Sequence, residues 1–527
     1  MNKQTVQEIP ASRYRWLWLL VGFVLLPFSV VQTVIPLAAW LAPVFLLRFM
    51  RTSPRARSAL PLVFLAYVLG LVIATRGSDP GSLPVLIYGL IVGPVIRSLM
   101  YTLPYGADRL AGSRLASGLR ALVFPLAFTT AEWLMSLSAA TNTSGSPAAS
   151  QYGNLALIQI LSITGMWGLT FLITWFASTV NELWEHAFDW RPVRGALAAF
   201  AAALLAVLAY GGARLAFFPP AAPAVQAATI TLDDALSQQA NRGIDWLTFN
   251  QSTDAQRAAV RPQFQATVDQ LLARTETALR AGARIVAWQE GAGTVLEEDK
   301  QSVLDRAAAL ARTYDAYLEI SLGVATRTPD RHYILNESIL VDSTGAVRWT
   351  YDKTYPVMPV ESYVFRAGSG QLPLAQTPYG LLSTAICNDL HFPSLLRQAG
   401  AKDVDILIAP YNDFHPWEQD DEVTAVYRAV ENGFSVLRPA GHGYATIIDY
   451  QGRVLARQDY FTNASGIMLD GIPTGGAVTV YSRIGDLFAY LCAVGLLGLA
   501  AWAFLRRNRP ASDAWIGEIV RSDLGIE

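Results

Sequence analysis

The sequence predicts a polytopic α-helical membrane half joined to a layered α/β domain with a mixed sheet. Composition is the first sign: 52% of the 527 residues are hydrophobic and 16% charged, against about a quarter charged in ordinary soluble domains. The imbalance is also local. Residues 14–216 are mostly apolar with few acids, whereas 225–475 reads like a soluble chain. A net charge of −2 provides no field for a nucleic-acid partner, and none is expected.

The membrane half is read from apolar runs near the roughly 20 residues that a spanning helix needs. Seven precede the soluble segment, at 15–30, 30–50, 59–75, 82–100, 119–137, 161–179 and 196–216, and an eighth lies at 487–505. The first is not expected to be a cleaved signal peptide, because no small-residue cleavage site precedes the next run. Loop charges orient the set. Arg13 and Arg15 precede the first run, and Arg48, Arg51, Arg55 and Arg57 separate the second from the third. Arg97, Arg109, Arg114 and Arg120 bracket the loop after the fourth, Arg191 and Arg194 follow the sixth, and Arg506, Arg507 and Arg509 follow the eighth. The alternate loops hold only Arg76. Excess positive charge stays in the cytoplasm, so both termini are expected inside and 217–486 outside. The division expected is 1–216 with about seven transmembrane helices, 217–486 as linker and soluble domain, and 487–527 as a closing helix with a cytoplasmic tail.

Pro219 and Pro220 end the seventh helix. Strand-like runs follow at 224–232, 283–290 and 317–326, with helix-like runs at 256–282 and 305–316. A hairpin turns at 342–345, and further strands are expected at 381–389, 403–413, 435–456 and 464–472. Strand and helix alternation with inserted hairpins is what predicts the mixed-sheet α/β domain.

Polar residues close the buried strands. Glu290 ends "IVAWQE", Cys387 ends "LLSTAIC", and Lys353 and Glu361 follow the hairpin. Cys387 is one of two cysteines, which leaves no disulfide framework; it is either core filling or a nucleophile. The second, Cys492, reads as packing in the eighth run. A thiol needs a base or a positive charge to react. A carboxylate at a strand end can take its proton, and a lysine can hold the oxyanion formed on a carbonyl. The Cys/His spacing has no zinc pattern, and "GAGTVLEEDK" and "AGSGQLP" lack the strand–helix context of a phosphate loop. No metal or organic cofactor is expected.

Glu290, Lys353 and Cys387 in this order resemble the Glu–Lys–Cys triad of the nitrilase, or carbon–nitrogen hydrolase, superfamily. With its membrane half, the chain resembles the bacterial apolipoprotein N-acyltransferases over nearly its whole length. "YGNLALIQILSITGMWGLTFLI", "KTYPVMPVESYV", "CNDLHFPSLLRQAGAKDVDILIAPYND" and "VYRAVENGFSVLRPAGHG" are the segments that carry the likeness. The resemblance implies a four-layer αββα sandwich outside the bacterial inner membrane. It implies Cys387 as nucleophile, Glu290 as base then acid, and Lys353 with the Asn388 backbone N–H as oxyanion donors. Glu361 would orient or assist. It also implies a phospholipid acyl donor, a lipoprotein acceptor and a monomer.

The sequence departs from the family pattern at Asn388-Asp389, where an aromatic and a glutamate are usual, and at Tyr355, Tyr411 and 439–443. Asp389 is expected to cap or ion-pair near the pocket, and Asn412 and Asp413 to shape a turn. Arg438 is a buried ion pair or a pocket charge. His415 and His442 are too isolated for a metal. Phe414, Trp417 and Tyr363 are lid candidates or ordinary loop packing. Two rival readings share these residues: a membrane-tethered amidase in which water resolves the thioester, and a non-catalytic scaffold.

Overall fold

The computed structural model describes residues 14–30, 33–76, 87–220, 223–359, 361–413, 417–463 and 466–507. Arg13, residues 82–86 of the fourth apolar run, Phe414, His415 and the tail from 508 on, with Arg509, lie outside them. Every apolar run has a helix: Arg15–Leu25, Pro36–Thr52, Ala56–Ala74, Gly93–Ala111, Ser117–Ser136, Met166–Glu185, Arg194–Phe217 and Leu487–Arg507. Among the described residues, Ala56–Ala74, Arg194–Phe217 and Leu487–Leu505 are each long and apolar enough to cross a bilayer alone. Arg194–Phe217 buries only Phe200 and Gly211; a helix apolar on every face yet so little covered by protein has lipid as its solvent.

The run 161–179 departs from expectation. It is not one helix but two pieces, Leu155–Thr164 and Met166–Glu185, bent by 119°. Gly165 makes the corner at φ +65°, and a Cβ there would stand 2.5 Å from the Tyr481 ring, so no other residue fits without displacing that ring.

The two ends of the helical half differ. At one, Arg51 is buried between Asp108 and Glu182, while Arg120 reaches Glu185. Arg109 caps the carbonyls of Arg51 and Ser53. At the other end the loop 137–154 meets the α/β domain. Arg97 belongs to this second end, because its guanidinium donates to the Thr141 carbonyl. It therefore does not share a side with Arg109 and Arg120, as the loop-charge reading had placed it.

In the α/β domain, one sheet comprises β1 (Ala224–Ile230), β2 (Ile285–Trp288), β3 (Gly293–Leu296), β4 (Tyr317–Ala325), β5 (Ile334–Val341), β6 (Val347–Asp352) and β15 (Ile467–Pro473), in the order β15-β1-β2-β4-β5-β6 with β3 also on β4. The second has β7 (Ala375–Thr377), β8 (Gly380–Thr384), β9 (Ile406–Ile408), β11 (Ser435–Arg438), β13 (Tyr444–Ile448) and β14 (Val454–Asp459), in the order β14-β13-β11-β9-β8-β7. Two short strands, β10 (Tyr411–Asn412) and β12 (Ala440–Gly441), pair in parallel beyond the C-terminal ends of the central strands β9 and β11. "GTVL" of the glycine-containing run is β3.

Side-chain alternation builds the layers. Val286 and Trp288 of β2 point into one core with Leu271 and Leu272 of helix Asp254–Arg280 and Ala307 of helix Lys300–Tyr314. Ile285 and Ala287 point the other way, into the core shared with Leu382, Ile406 and Val436 of the second sheet. Helices Pro393–Ala401 and Glu418–Asn432 cover that sheet's far side, completing the αββα sandwich. The same core runs on into Met166, Trp167 and Leu169. Helix Glu418–Asn432 is thus buried between sheet and membrane half: Met166 N–H donates to Glu431 (2.8 Å) and Tyr427 Oη to the Ala148 carbonyl (2.6 Å).

Candidate active site

Three chain segments deliver the predicted residues to one place. After β2, the N–H of Gln289 continues the ladder to the Ile230 carbonyl, and the N–H of Glu290 crosses to the Tyr411 carbonyl. Lys353 adds one rung to β6 by donating its N–H to Asn336 O at 2.9 Å. β8 stops at Thr384, three residues before Cys387, yet the N–H groups of Ala385 and Cys387 still reach Ile408 O and Pro410 O. Cys387 itself begins a 3-10 turn, Cys387–His391, at φ +46°. A left-handed non-glycine residue is strained by about 1–3 kcal/mol, so the surroundings must hold it.

Asp389 does much of the holding. Its carboxylate accepts from Tyr355 N–H (2.8 Å), Tyr351 Oη (2.7 Å) and Ile386 N–H (3.1 Å), tying the lysine loop to the cysteine turn. The expectation of a cap is met in this form. Asn388 is fixed by its side chain: Nδ2 donates to Tyr355 O (2.9 Å), and Oδ1 accepts from Asn142 Nδ2 (3.2 Å) of the membrane half. Thr143 Oγ1 donates to His391 O (2.9 Å), and Ser144 Oγ to Asp420 (2.7 Å).

The polar centre is compact. Lys353 Nζ, fully buried, lies 2.7 Å from Glu290 Oε1 and 2.7 Å from Glu361 Oε2, leaving one N–H direction of three. Glu290 Oε1 also accepts from Asn336 Nδ2 (2.7 Å), while among the described residues Oε2 accepts from the Asn412 N–H alone (3.0 Å), with a second lone pair to spare. Glu361 Oε2 accepts from Val357 N–H at 2.8 Å. Among the described residues, no acceptor faces the Asn388 backbone N–H. Burial, then the Glu290 charge, pushes the Cys387 thiol well above its ordinary value, with Lys353 opposing. Burial lowers Lys353, but Cys387, Glu290 and Glu361 together outweigh it and hold the amine protonated. Glu361 is pushed up, mainly by burial.

Around this centre, Arg438 resolves as a buried ion pair with Asp413 (2.6 and 2.8 Å), its guanidinium 4.0 Å from the Tyr411 ring centroid. Asn412 and Asp413 do not make the expected turn: Asn412 lies in β10 with its Oδ1 2.7 Å from His442 Nδ1, and Asp413 is the partner of Arg438. Tyr363 is 50% exposed under Arg331. Trp417 packs on Val30, Leu71 and Ala74 of the helical half. Asn336, Asn142 and His391 escaped the sequence reading. Asn336, a lone amide in the apolar run "ILNESILV", was the one with a visible signal. His391 Nε2 meets Asp421 at 2.8 Å, with burial lowering the imidazole to about 4 and raising the carboxyl to about 7.

Comparison with known proteins places both halves. A family model described as carbon-nitrogen hydrolase matches residues 249–469, and one described as apolipoprotein N-acyltransferase N-terminal domain matches 18–179. An apolipoprotein N-acyltransferase of Geobacter metallireducens is 27% identical, covering 94% of this chain and 96% of its own. One of Bradyrhizobium diazoefficiens is 25% identical, covering 81% and 79%. A nitrilase-superfamily amidase of Nesterenkonia superposes at TM-score 0.41 with 18% identity, over 52% of this chain and 98% of its own. With one model on each half and relatives spanning nearly the full length, this enzyme belongs to the apolipoprotein N-acyltransferase family of the carbon–nitrogen hydrolase superfamily.

Proposed function

We propose that the protein transfers an acyl chain from a membrane phospholipid to the N-terminal amine of a diacylglyceryl-cysteine lipoprotein through a Cys387 thioester. One observation carries the chemistry: a buried lysine held by two carboxylates beside a thiol, with an unpaired backbone N–H next to it. Glu290 Oε2 takes the thiol proton, and the thiolate attacks the ester carbonyl. The oxyanion that forms is held by the Asn388 N–H and the remaining N–H of Lys353; one such donor is worth about 10²–10³ in rate. Collapse expels the glycerol oxygen, which takes the proton back from Glu290 and leaves as lysophospholipid. The acceptor amine then attacks the thioester, gives its proton to Glu290, and departs as the amide while the thiol is restored. Glu361 positions Lys353.

The architecture supports a membrane-bound substrate. We read 1–216 and 487–507 as the membrane part and 217–486 as the catalytic segment, on the extracytoplasmic face of the bacterial inner membrane. The arginine-rich helix ends around Arg51 and Arg120 lie opposite the loop that braces Cys387, in keeping with positive charge inside.

The near-complete burial of Cys387, 7% exposed, favours a second reading, a membrane-tethered amidase whose small pocket admits a short amide and then the water that resolves the thioester. Isolated acyl-enzyme separates the two. Discharge by a diacylglyceryl-cysteine peptide far faster than by water, with the peptide gaining the acyl group, is the transferase result; equal loss with and without peptide is the hydrolase result.

A further inference from the structure

A groove of about 470 Å³ lies away from Cys387, between helix Pro393–Ala401 and the loop 371–374, lined by Arg397, Lys402, Gln371, Gln398, Ser394 and Leu374 among others. Most arginines of the α/β domain meet a carboxylate, as Arg257, Arg274, Arg428, Arg438 and Arg457 do. Among the described residues, neither Arg397 nor Lys402 has a carboxylate within 4 Å. The adjacent Asp403 is already taken by Arg483, and Asp486 by Trp167 and Tyr481.

A second, independent observation sets this groove beside the turn into the apolar, membrane-length closing helix. A Cβ on Gly485, at φ +59°, would stand 2.9 Å from the Arg397 guanidinium; the guanidinium therefore lies against the turn that leads into Leu487–Arg507. The same turn exposes Val478 (64%), Val480 (48%), Ile484 (43%) and Leu487 (42%). Apolar side chains facing outward beside unpaired cations are the pattern of a segment seated in the headgroup layer.

We propose that Arg397 and Lys402 bind the phosphate of an anionic phospholipid, with the Gln371 amide as a further donor and the chains lying toward the exposed apolar turn. This lipid is not the acyl donor. It fastens the helix that starts just after the Cys387 turn to the membrane surface. The inference rests on the reading that Leu487–Arg507 lies in the bilayer and does not need the thioester chemistry.

Full-length protein carrying Cys387→Ala, which consumes no lipid, is purified in detergent and titrated with phosphatidylglycerol or phosphatidylcholine, and bound lipid is counted by native mass spectrometry. Phosphatidylglycerol should be retained preferentially, and Arg397→Gln and Lys402→Gln should each weaken it about fivefold, the pair losing the preference. Lys402 is exposed, so Lys402→Gln remains informative if the double variant folds poorly. Equal retention of the two lipids, or unchanged preference in the variants, overturns the proposal. So does displacement by millimolar inorganic phosphate, which would make this a soluble-phosphate site. Failure of wild-type acylation would count against the transfer reading alone.

Discussion

Two buried clusters in this protein are built on the same motif, a cation held between two carboxylates, and have opposite character. At one end of the helical half, Arg51 grips Asp108 with a two-pronged contact (2.7 and 2.9 Å) and Glu182 with a third (2.7 Å). Arg120, 3.4 Å from Glu182, adds a second cation, and four of the five Arg51 N–H groups have a partner. At the candidate site, Lys353 meets Glu290 and Glu361 with one bond each, keeps a direction open, and faces a thiol. A planar guanidinium fork saturates a carboxylate; an ammonium leaves capacity to spare. The difference teaches that a buried charge cluster becomes a reactive site only where a donor, a lone pair and a nucleophile are left unsatisfied together.

The largest effect that can break this contrast comes from removing each cation. Arg51→Met and Lys353→Met should each destabilise the fold by about 3–5 kcal/mol, because buried carboxylates lose their partner, and thermal melting of the purified proteins reads this. Their chemistry should part: the folded fraction of Arg51→Met keeps its rate of acyl-enzyme formation, whereas Lys353→Met loses at least about 10²-fold. Equal losses would make the two clusters the same kind of object.

Glu290→Gln sharpens the contrast by sign. Acyl-enzyme formation should stop, because an amide cannot accept the thiol proton. Alkylation of Cys387 by a small neutral reagent at fixed alkaline pH should become faster, because a charge that holds the thiol pKa up has been removed. In the wild type, alkylation should keep rising with pH through the alkaline range, since burial keeps the thiol protonated at neutral pH. Slower alkylation in Glu290→Gln would contradict the direction.

Much of this site was legible because few residue types can do its work. A carboxylate, a lysine and a thiol closing apolar strands stand out by cost alone, since such groups are rarely buried without partners. The apolar runs were legible for the same reason. The bend at Gly165 was not, because hydropathy counts residues without seeing the Tyr481 ring against that corner. Arg97 was misplaced because loop charge counting ignores where along a helix a charge sits. Asn142 and Asn388 lie 246 positions apart, and no local pattern joins them.

Smaller effects follow the braces. Asp389→Ala should cost about 1–3 kcal/mol for the N–H and hydroxyl donors left unpaired, and lower the acylation rate by releasing the strained Cys387 turn. Restoration by Asp389→Glu would weaken that account, because the longer chain cannot keep the same bonds. Asn142→Ala removes a single part-buried bond, and up to about tenfold in kcat with unchanged KM is expected. A raised KM instead would make Asn142 a substrate contact.

The most direct test uses the paired cations and the thiol together. Wild type, Arg51→Met and Lys353→Met are incubated with phosphatidylethanolamine, digested, and the peptide containing Cys387 is weighed over time. One acyl group should appear on Cys387 in wild type and Arg51→Met at similar rates per folded protein, and at least about 10²-fold more slowly in Lys353→Met. Acylation of another residue, or of Cys387 at the wild-type rate without Lys353, would contradict the account.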